Sequence, residues 1–149
     1  MSTERETILS LLQFQRESLV RNMSGVDEAA VRESPVPSGT TLLWLMQHMA
    51  RAESLWIVQR FAGTRDEIAD EDSDSDDTMA AAIATYRRTW ERVDAIIDDT
   101  ASLDELCRNL GDDTPLNLRW VLLHLLEETA RHAGHADILR ELIDGETGR

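Results

Sequence analysis

The sequence contains no lysine. All 15 of its basic residues are arginine, and 29 acidic residues oppose them, so the formal net charge is −14 at pH 7. Such a negative excess repels phosphate backbones and anionic lipid surfaces. The charge balance therefore argues against nucleic acid and membrane partners, and we expect a small molecule to be the partner.

Cysteine and long apolar runs are also scarce. The single cysteine, Cys107, excludes an internal disulfide, and its segment LDELCRNL offers no partner for a redox motif. No stretch approaches the roughly 20 apolar residues of a membrane span. The N-terminal MSTERETILSLLQFQRES has no basic region followed by an apolar run, so a secretory leader is not expected. These absences predict a cytoplasmic protein.

The apolar residues that are present recur at helical spacing, and no strand-like alternation competes with them. The pattern predicts four helices, over residues 3–23, from 38–41 to 61, over 77–98 and over 118–145. Thr114-Pro115 also resembles a helix start with proline in the first position. One short and two long connections, in a chain of 149 residues, predict a single all-α domain over residues 1–149, folded as a four-helix bundle.

Details of this pattern give further expectations. In the first helix, Leu11 and Phe14 widen the apolar stripe. The four tryptophans, at helical spacing, are expected in the core rather than in a cofactor stack. Residues 63–77 are acidic and nearly devoid of large apolar groups, which is typical of a solvated loop. Trp120, Leu123 and Ile138 form a second apolar strip on the last helix, either a homodimer surface or a contact with another helix of the bundle.

The last predicted helix carries polar residues within its apolar stripe. His124, Glu128 and His132 follow one another at i, i+4 spacing, and His135 falls within the same arc at 100° per residue. A lone histidine there would be a hydrogen-bonded core residue. Three histidines and a glutamate are harder to explain in this way, because buried polar groups need partners and buried charges need pairing or a metal.

The remaining histidine, His48, lies on the apolar face of the second predicted helix. If the second and fourth helices pack side by side, His48 can face one pair of the last helix. Three protein ligands and an open position are typical of catalytic zinc, whereas structural zinc is usually closed by four. Spacing leaves open whether His124 and Glu128, Glu128 and His132, or His132 and His135 complete the site.

Two runs of the sequence resemble a known family. HMARAESLW, which supplies His48, and EETARHAGHAD in the last helix are similar to motifs of the DinB-like (YfiT-like) metalloenzyme superfamily, especially the branch related to mycothiol-dependent maleylpyruvate isomerase. The resemblance follows the helix order of the whole chain and implies His48, Glu128 and His132 as metal ligands. His135 stands where many relatives carry glutamine, so its role, like that of His124, stays open.

The resemblance implies a DinB-like bundle that uses a divalent metal, zinc first and nickel or iron as alternatives, with a low-molecular-weight thiol such as mycothiol as co-substrate. We expect a metal-dependent S-transferase acting on a small electrophile, with His135 and Arg131 as candidates for substrate contact. Only four residues follow Gly145, so generic thiol transfer is expected rather than maleylpyruvate isomerisation. A metal-dependent hydrolase and a non-catalytic, stress-associated protein that binds metal or a small ligand are the alternatives.

Overall fold

Four α-helices account for most of the structure. The computed structural model describes residues 3–65, 78–110 and 114–148. Within these ranges lie α1 (Glu4–Met23), α2 (Leu42–Glu53), α3 (Met79–Asp98) and α4 (Leu118–Asp144). A 3₁₀ turn over Ala30–Arg32 precedes α2, and a π-helical segment, Ser54–Phe61, continues α2 without a break. The predicted all-α bundle and the four helix positions are confirmed.

A side-chain cap fixes the start of each α-helix. Thr3, Thr41, Thr78 and Asn117 each accept a hydrogen bond from a backbone N–H of the first turn. Such caps satisfy N–H groups that have no partner within the helix.

The expected helix start at Thr114-Pro115 was wrong, because α4 begins at Leu118. The connection before it pairs with an earlier part of the chain: the Cys107 N–H donates to the Leu116 carbonyl, and the Leu118 N–H donates to the Glu105 carbonyl. These bonds hold Leu116 outside the helix, so the helix starts after the Asn117 cap.

Helix pairing creates the core and the interface that matters for the site. α1 packs against α4, α2 packs against α3, and α2 together with its π-helical continuation also contacts α4. The buried apolar side chains fall into two clusters, one including Leu19, Met46 and Leu139, and the other including Leu12, Ile57 and Leu125. The contact between α2 and α4 brings the two histidine-bearing helices together, which is the condition under which His48 can face the last helix.

Four side chains that were expected in the core are exposed. Leu11 and Phe14 are 47% and 57% exposed, and Trp44 and Trp120 are 45% and 43% exposed. These residues lie at the edges of the apolar stripes, where packing is decided by how each helix is rotated against its neighbours. Residue type and spacing do not determine that rotation.

A buried ion pair lies where the two apolar clusters meet. Arg16 of α1 and Glu53 at the end of α2 are 2% and 0% exposed, and the guanidinium binds both carboxylate oxygens, at 3.0 and 2.5 Å. The Tyr86 hydroxyl donates to the same carboxylate at 2.9 Å. Burial raises the pKa of Glu53, but the Arg16 charge acts against that rise and holds the carboxylate in a hydrogen-bonded pair.

Two further expectations concern the rest of the chain. The predicted acidic loop, residues 63–77, lies mostly outside the described residues, since 66–77 are not among them. Within the described ranges, no helix combines the length and apolar character needed to cross a bilayer. The homodimer and the single domain stay predictions.

Candidate metal centre

The interface between α2 and α4 brings three potential ligands together. His48 comes from α2, and Glu128 and His132 come from successive turns of α4. One oxygen of Glu128 lies between the two imidazoles, 3.6 Å from His48 Nε2 and 3.1 Å from His132 Nε2. The ligand atoms of the three residues all lie within 4.8 Å of one another.

These separations can be compared with those of a metal site. Ligand atoms about 2.1 Å from a tetrahedral zinc ion lie roughly 3.4 Å apart. The two separations from Glu128, 3.1 and 3.6 Å, bracket that value. Two imidazole nitrogens and a carboxylate oxygen also form a donor set that zinc, nickel and iron accept. The residues therefore fit a divalent ion.

The centre is neither fully buried nor freely solvated. The side chains of His48, Glu128 and His132 are 27%, 19% and 12% exposed. A closed structural site would normally supply a fourth protein ligand. Three ligands at a partly exposed surface leave access for water or a substrate.

The charges around the centre favour the protonation states that a metal needs. Partial burial raises the pKa of Glu128, but the neighbouring His132, His48 and Arg131 outweigh burial and hold it below its ordinary value. Partial burial and the charge of His48 lower the pKa of His132, against the opposing effect of Glu128. An ionised carboxylate and a neutral imidazole are the forms that bind metal ions.

His135 and Arg131 each contact a member of the group. His135 Nδ1 lies 3.3 Å from His132 Nδ1, on the opposite side of the His132 ring from Glu128. The Arg131 guanidinium donates to Glu127 at 3.0 Å and to the second oxygen of Glu128 at 3.4 Å. His135 is thus linked to His132, and Arg131 is linked to Glu128.

His124, the third histidine of α4, lies in a different environment. Its ring is stacked on Trp120 at 5.1 Å, with 17° between the planes, and meets the edge of Trp56 at 4.7 Å. The Arg60 guanidinium covers the Trp56 ring at 4.3 Å. His124 therefore belongs to an aromatic cluster one helical turn from Glu128, and the pair facing His48 is Glu128 and His132.

Two features of the site were missed by sequence reasoning. The exposed ring of Trp44 is stacked on His48 at 4.8 Å, with 11° between the planes, which restricts the orientation of that imidazole. Trp44 and His48 are at i, i+4 spacing on α2, and this spacing was the available signal. The second feature is the π-helical segment Ser54–Phe61; π-helical turns are frequent near functional sites, but no pattern in the sequence identified this one.

The fold and the site define a helical-bundle protein with a candidate metal centre between two of its helices. A family model described as Mycothiol-S-transferase matches residues 7–145. The chain belongs to this family of DinB/YfiT-like proteins.

Two further comparisons concern individual proteins. The chain is similar in structure to a conserved protein from Enterococcus faecalis, with a TM-score of 0.73 and 16% identity, over 98% of this chain and 100% of that one. At this identity the likeness supports the fold alone. No curated protein matches the sequence.

Proposed function

We propose that this protein is a divalent-metal-dependent thiol S-transferase that joins mycothiol, or a similar low-molecular-weight thiol, to a small electrophile. The observation that carries the proposal is the convergence of His48, Glu128 and His132, whose ligand atoms lie within 4.8 Å at a partly exposed surface. Membership of the mycothiol S-transferase family supports the choice of thiol. The proposal treats residues 1–149 as one domain with one such centre.

In this proposal His48, Glu128 and His132 hold the metal, with zinc favoured and nickel or iron as alternatives. A bound divalent cation lowers the pKa of a coordinated thiol, so that the thiolate is available as a nucleophile at neutral pH. In the transfer the S–H bond of the thiol breaks and a C–S bond forms at the electrophilic carbon. Either a leaving group such as chloride departs from that carbon with its bonding electrons and the proton passes to water, or the π bond of an unsaturated electrophile opens and the neighbouring carbon takes up the proton.

The surrounding residues orient the ligands. His132 presents Nε2 to the centre, and its Nδ1 faces His135, an arrangement that fixes the tautomer and ring angle of a metal-binding histidine. Trp44 holds the ring of His48 by stacking. Arg131 donates a hydrogen bond to the second oxygen of Glu128. Of the two candidates for substrate contact, Arg131 and His135, His135 is therefore the less constrained by ion pairs.

Metal analysis of purified variants tests the proposal. We expect about one divalent ion per chain in the wild type and its loss in His132→Gln. His124→Gln is the matched control, because it changes the same residue type on the same helix outside the ligand group, and it should retain the ion. Absence of a stoichiometric metal, or unchanged metal content in His132→Gln, would contradict the assignment.

Activity assays separate the candidate reactions. The metal-loaded protein should conjugate mycothiol to a chromogenic electrophile such as 1-chloro-2,4-dinitrobenzene, and conjugation should disappear in His132→Gln. Because the centre is accessible to water, an activated ester without thiol tests hydrolysis in parallel. Ester cleavage without conjugation would favour the hydrolase, and metal binding without either activity would favour a binding protein.

A further inference from the structure

A cleft lies beside the candidate metal centre, between the connection that precedes α2 and the later turns of α4. Its volume is about 270 Å³. Its walls are formed by Val36, Ser38, Thr40, His135, Ile138 and Leu139.

One residue connects the cleft to the centre. His135 lies in the cleft wall, and its Nδ1 is 3.3 Å from Nδ1 of His132. The two rings meet at an angle of 64°, with centroids 5.3 Å apart. A molecule held in the cleft would therefore lie one side chain away from a proposed metal ligand.

Among the residues that the structure describes, the lining of the cleft contains no carboxylate and no guanidinium. Leu139 is buried and Ile138 is 59% exposed, so these two side chains give the cleft an aliphatic wall that is open to solvent. The hydroxyls of Ser38 and Thr40 lie 3.1 Å apart and supply the hydrogen-bonding groups of the connection. By contrast, each of three other surface clefts in the described part of the chain has charged residues in its lining.

This lining selects against a charged ligand. An ion that entered the cleft would lose water without gaining an oppositely charged partner from Ser38, Thr40 or the aliphatic side chains. The remaining lining residue, His135, already has its Nδ1 within 3.3 Å of His132. For an anion, the net charge of −14 adds long-range repulsion. An uncharged, mostly apolar molecule with one hydrogen-bond acceptor meets neither penalty.

The volume also limits the size of the ligand. At about 270 Å³, the cleft is slightly smaller than the ~300 Å³ at which the usual range of ligand sites begins. On the order of ten non-hydrogen atoms would fill it if each occupies the ~30 Å³ of a liquid water molecule. A thiol that carries sugar groups, such as mycothiol, is larger and more polar than a molecule that would fill the cleft. The cleft therefore suits the second substrate of the transfer rather than the thiol.

We propose that this cleft is the binding site of the electrophile, and that the electrophile is a small, uncharged α,β-unsaturated carbonyl compound. This inference rests on the proposed function. The apolar part of the molecule packs against Ile138 and Leu139, and its carbonyl oxygen accepts a hydrogen bond from the hydroxyls of Ser38 and Thr40. In the reaction the thiolate sulfur forms a bond to the β-carbon, the π electrons of the C=C bond move toward the carbonyl, and the α-carbon takes up the proton that the thiol has released.

Binding can be measured without the reaction. Ligand-observed NMR with the metal-loaded protein, in the absence of thiol, should detect 2-cyclohexen-1-one. Cyclohex-1-ene-1-carboxylate, a charged compound of similar size, should bind at least about tenfold more weakly, because no arginine among the described residues lines the cleft and the net charge of −14 repels an anion. Equal or tighter binding of the carboxylate would overturn the proposed chemical class.

Variants locate the bound molecule. Ile138→Trp should fill the cleft and weaken enone binding at least about tenfold, with metal content unchanged. Leu142→Trp is the matched control, because Leu142 is 57% exposed on the same helix and does not line the cleft. Ser38→Phe fills the cleft from the connection that precedes α2, where Ser38 is exposed, and should have the same effect as Ile138→Trp. Unaltered enone binding in both filled variants would overturn the cleft as the site.

Kinetics separate this inference from the proposed function. Where conjugation occurs, Ile138→Trp should raise the KM for the enone at least about tenfold and leave the KM for the thiol unchanged. Enone binding that the filled variants abolish supports the site even if no conjugate forms, and in that case only the proposed function fails. Conjugation of the enone with an unchanged KM in both filled variants would overturn the cleft while leaving the proposed function intact.

Discussion

The buried pair formed by Arg16 and Glu53 predicts a specific pattern of stability changes. The Glu53 carboxylate accepts three hydrogen bonds, two from Arg16 and one from Tyr86. Arg16→Met removes two of the three and leaves a fully buried carboxylate with Tyr86 alone. Breaking a buried pair from one side costs about 3–5 kcal/mol, and we expect Arg16→Met to lower the free energy of unfolding by that amount.

Other substitutions among the residues that contact Arg16 and Glu53 should lower the free energy of unfolding by less. Glu53→Gln leaves the guanidinium with Asp94 at 2.9 Å and with the Trp90 ring at 5.6 Å, so its cost should lie near the lower end, about 3 kcal/mol. Tyr86→Phe removes a single hydrogen bond to a charged group, worth about 1.5–3 kcal/mol. Asp94→Asn should cost at most about 1 kcal/mol, because that side chain is 48% exposed and water screens its charge.

The double variant Arg16→Met/Glu53→Met distinguishes this reasoning from a simple loss of packing. It removes both buried charges, and the Asp94 carboxylate that loses Arg16 is 48% exposed and stays solvated, so the double variant should be more stable than Arg16→Met. Urea unfolding followed by circular dichroism measures the wild type and all five variants. The Arg16→Met change corresponds to a fall in Tm of roughly 6–20 °C for a chain of this size. A destabilisation of Arg16→Met below about 1 kcal/mol, or a double variant less stable than Arg16→Met, would refute the argument.

Three further outcomes follow from single residues. Partial burial and His48 lower the pKa of His132 from its ordinary 6.5. Metal affinity measured by calorimetry should therefore hold at neutral pH and fall only as the pH drops below 6.5, where His132 takes up a proton. A loss of affinity that begins above about pH 7 would contradict the lowered pKa. Partial burial raises the pKa of Cys107 above its ordinary 9.0, so iodoacetamide should label it more slowly at pH 7 than free cysteine, as mass spectrometry can show; faster labelling would indicate a reactive thiol. Asn117→Ala removes the α4 cap and should cost about 1 kcal/mol in urea unfolding, whereas an unchanged midpoint would mean that the pairing before α4 holds the helix start alone.

Helix positions were predictable because they depend on local spacing and capping, but the buried ion pair depends on long-range packing. Charged side chains on helices face solvent by default, and Arg16 and Glu53 are far apart in sequence. A signal did exist: Arg16 interrupts the stripe between Leu12 and Leu19, and Glu53 lies at i, i+4 spacing between Met49 and Ile57. Two opposite charges in two apolar stripes indicate a pair only when the stripes are assumed to face each other.

Spacing alone left open which pair on α4 faces His48, because several pairs satisfy the rule of one helical turn. Helix register decides among them. His48 meets His132 at a ring distance of 4.9 Å, and Trp56 meets His124 at 4.7 Å. The residue number rises by eight from His48 to Trp56 and falls by eight from His132 to His124, so the two segments run in opposite directions with a fixed offset. Trp56 thus occupies the turn opposite His124, and His48 lies opposite Glu128 and His132. This pairing is determined by contacts between residues that are distant in sequence, so it cannot be read from the spacing on α4.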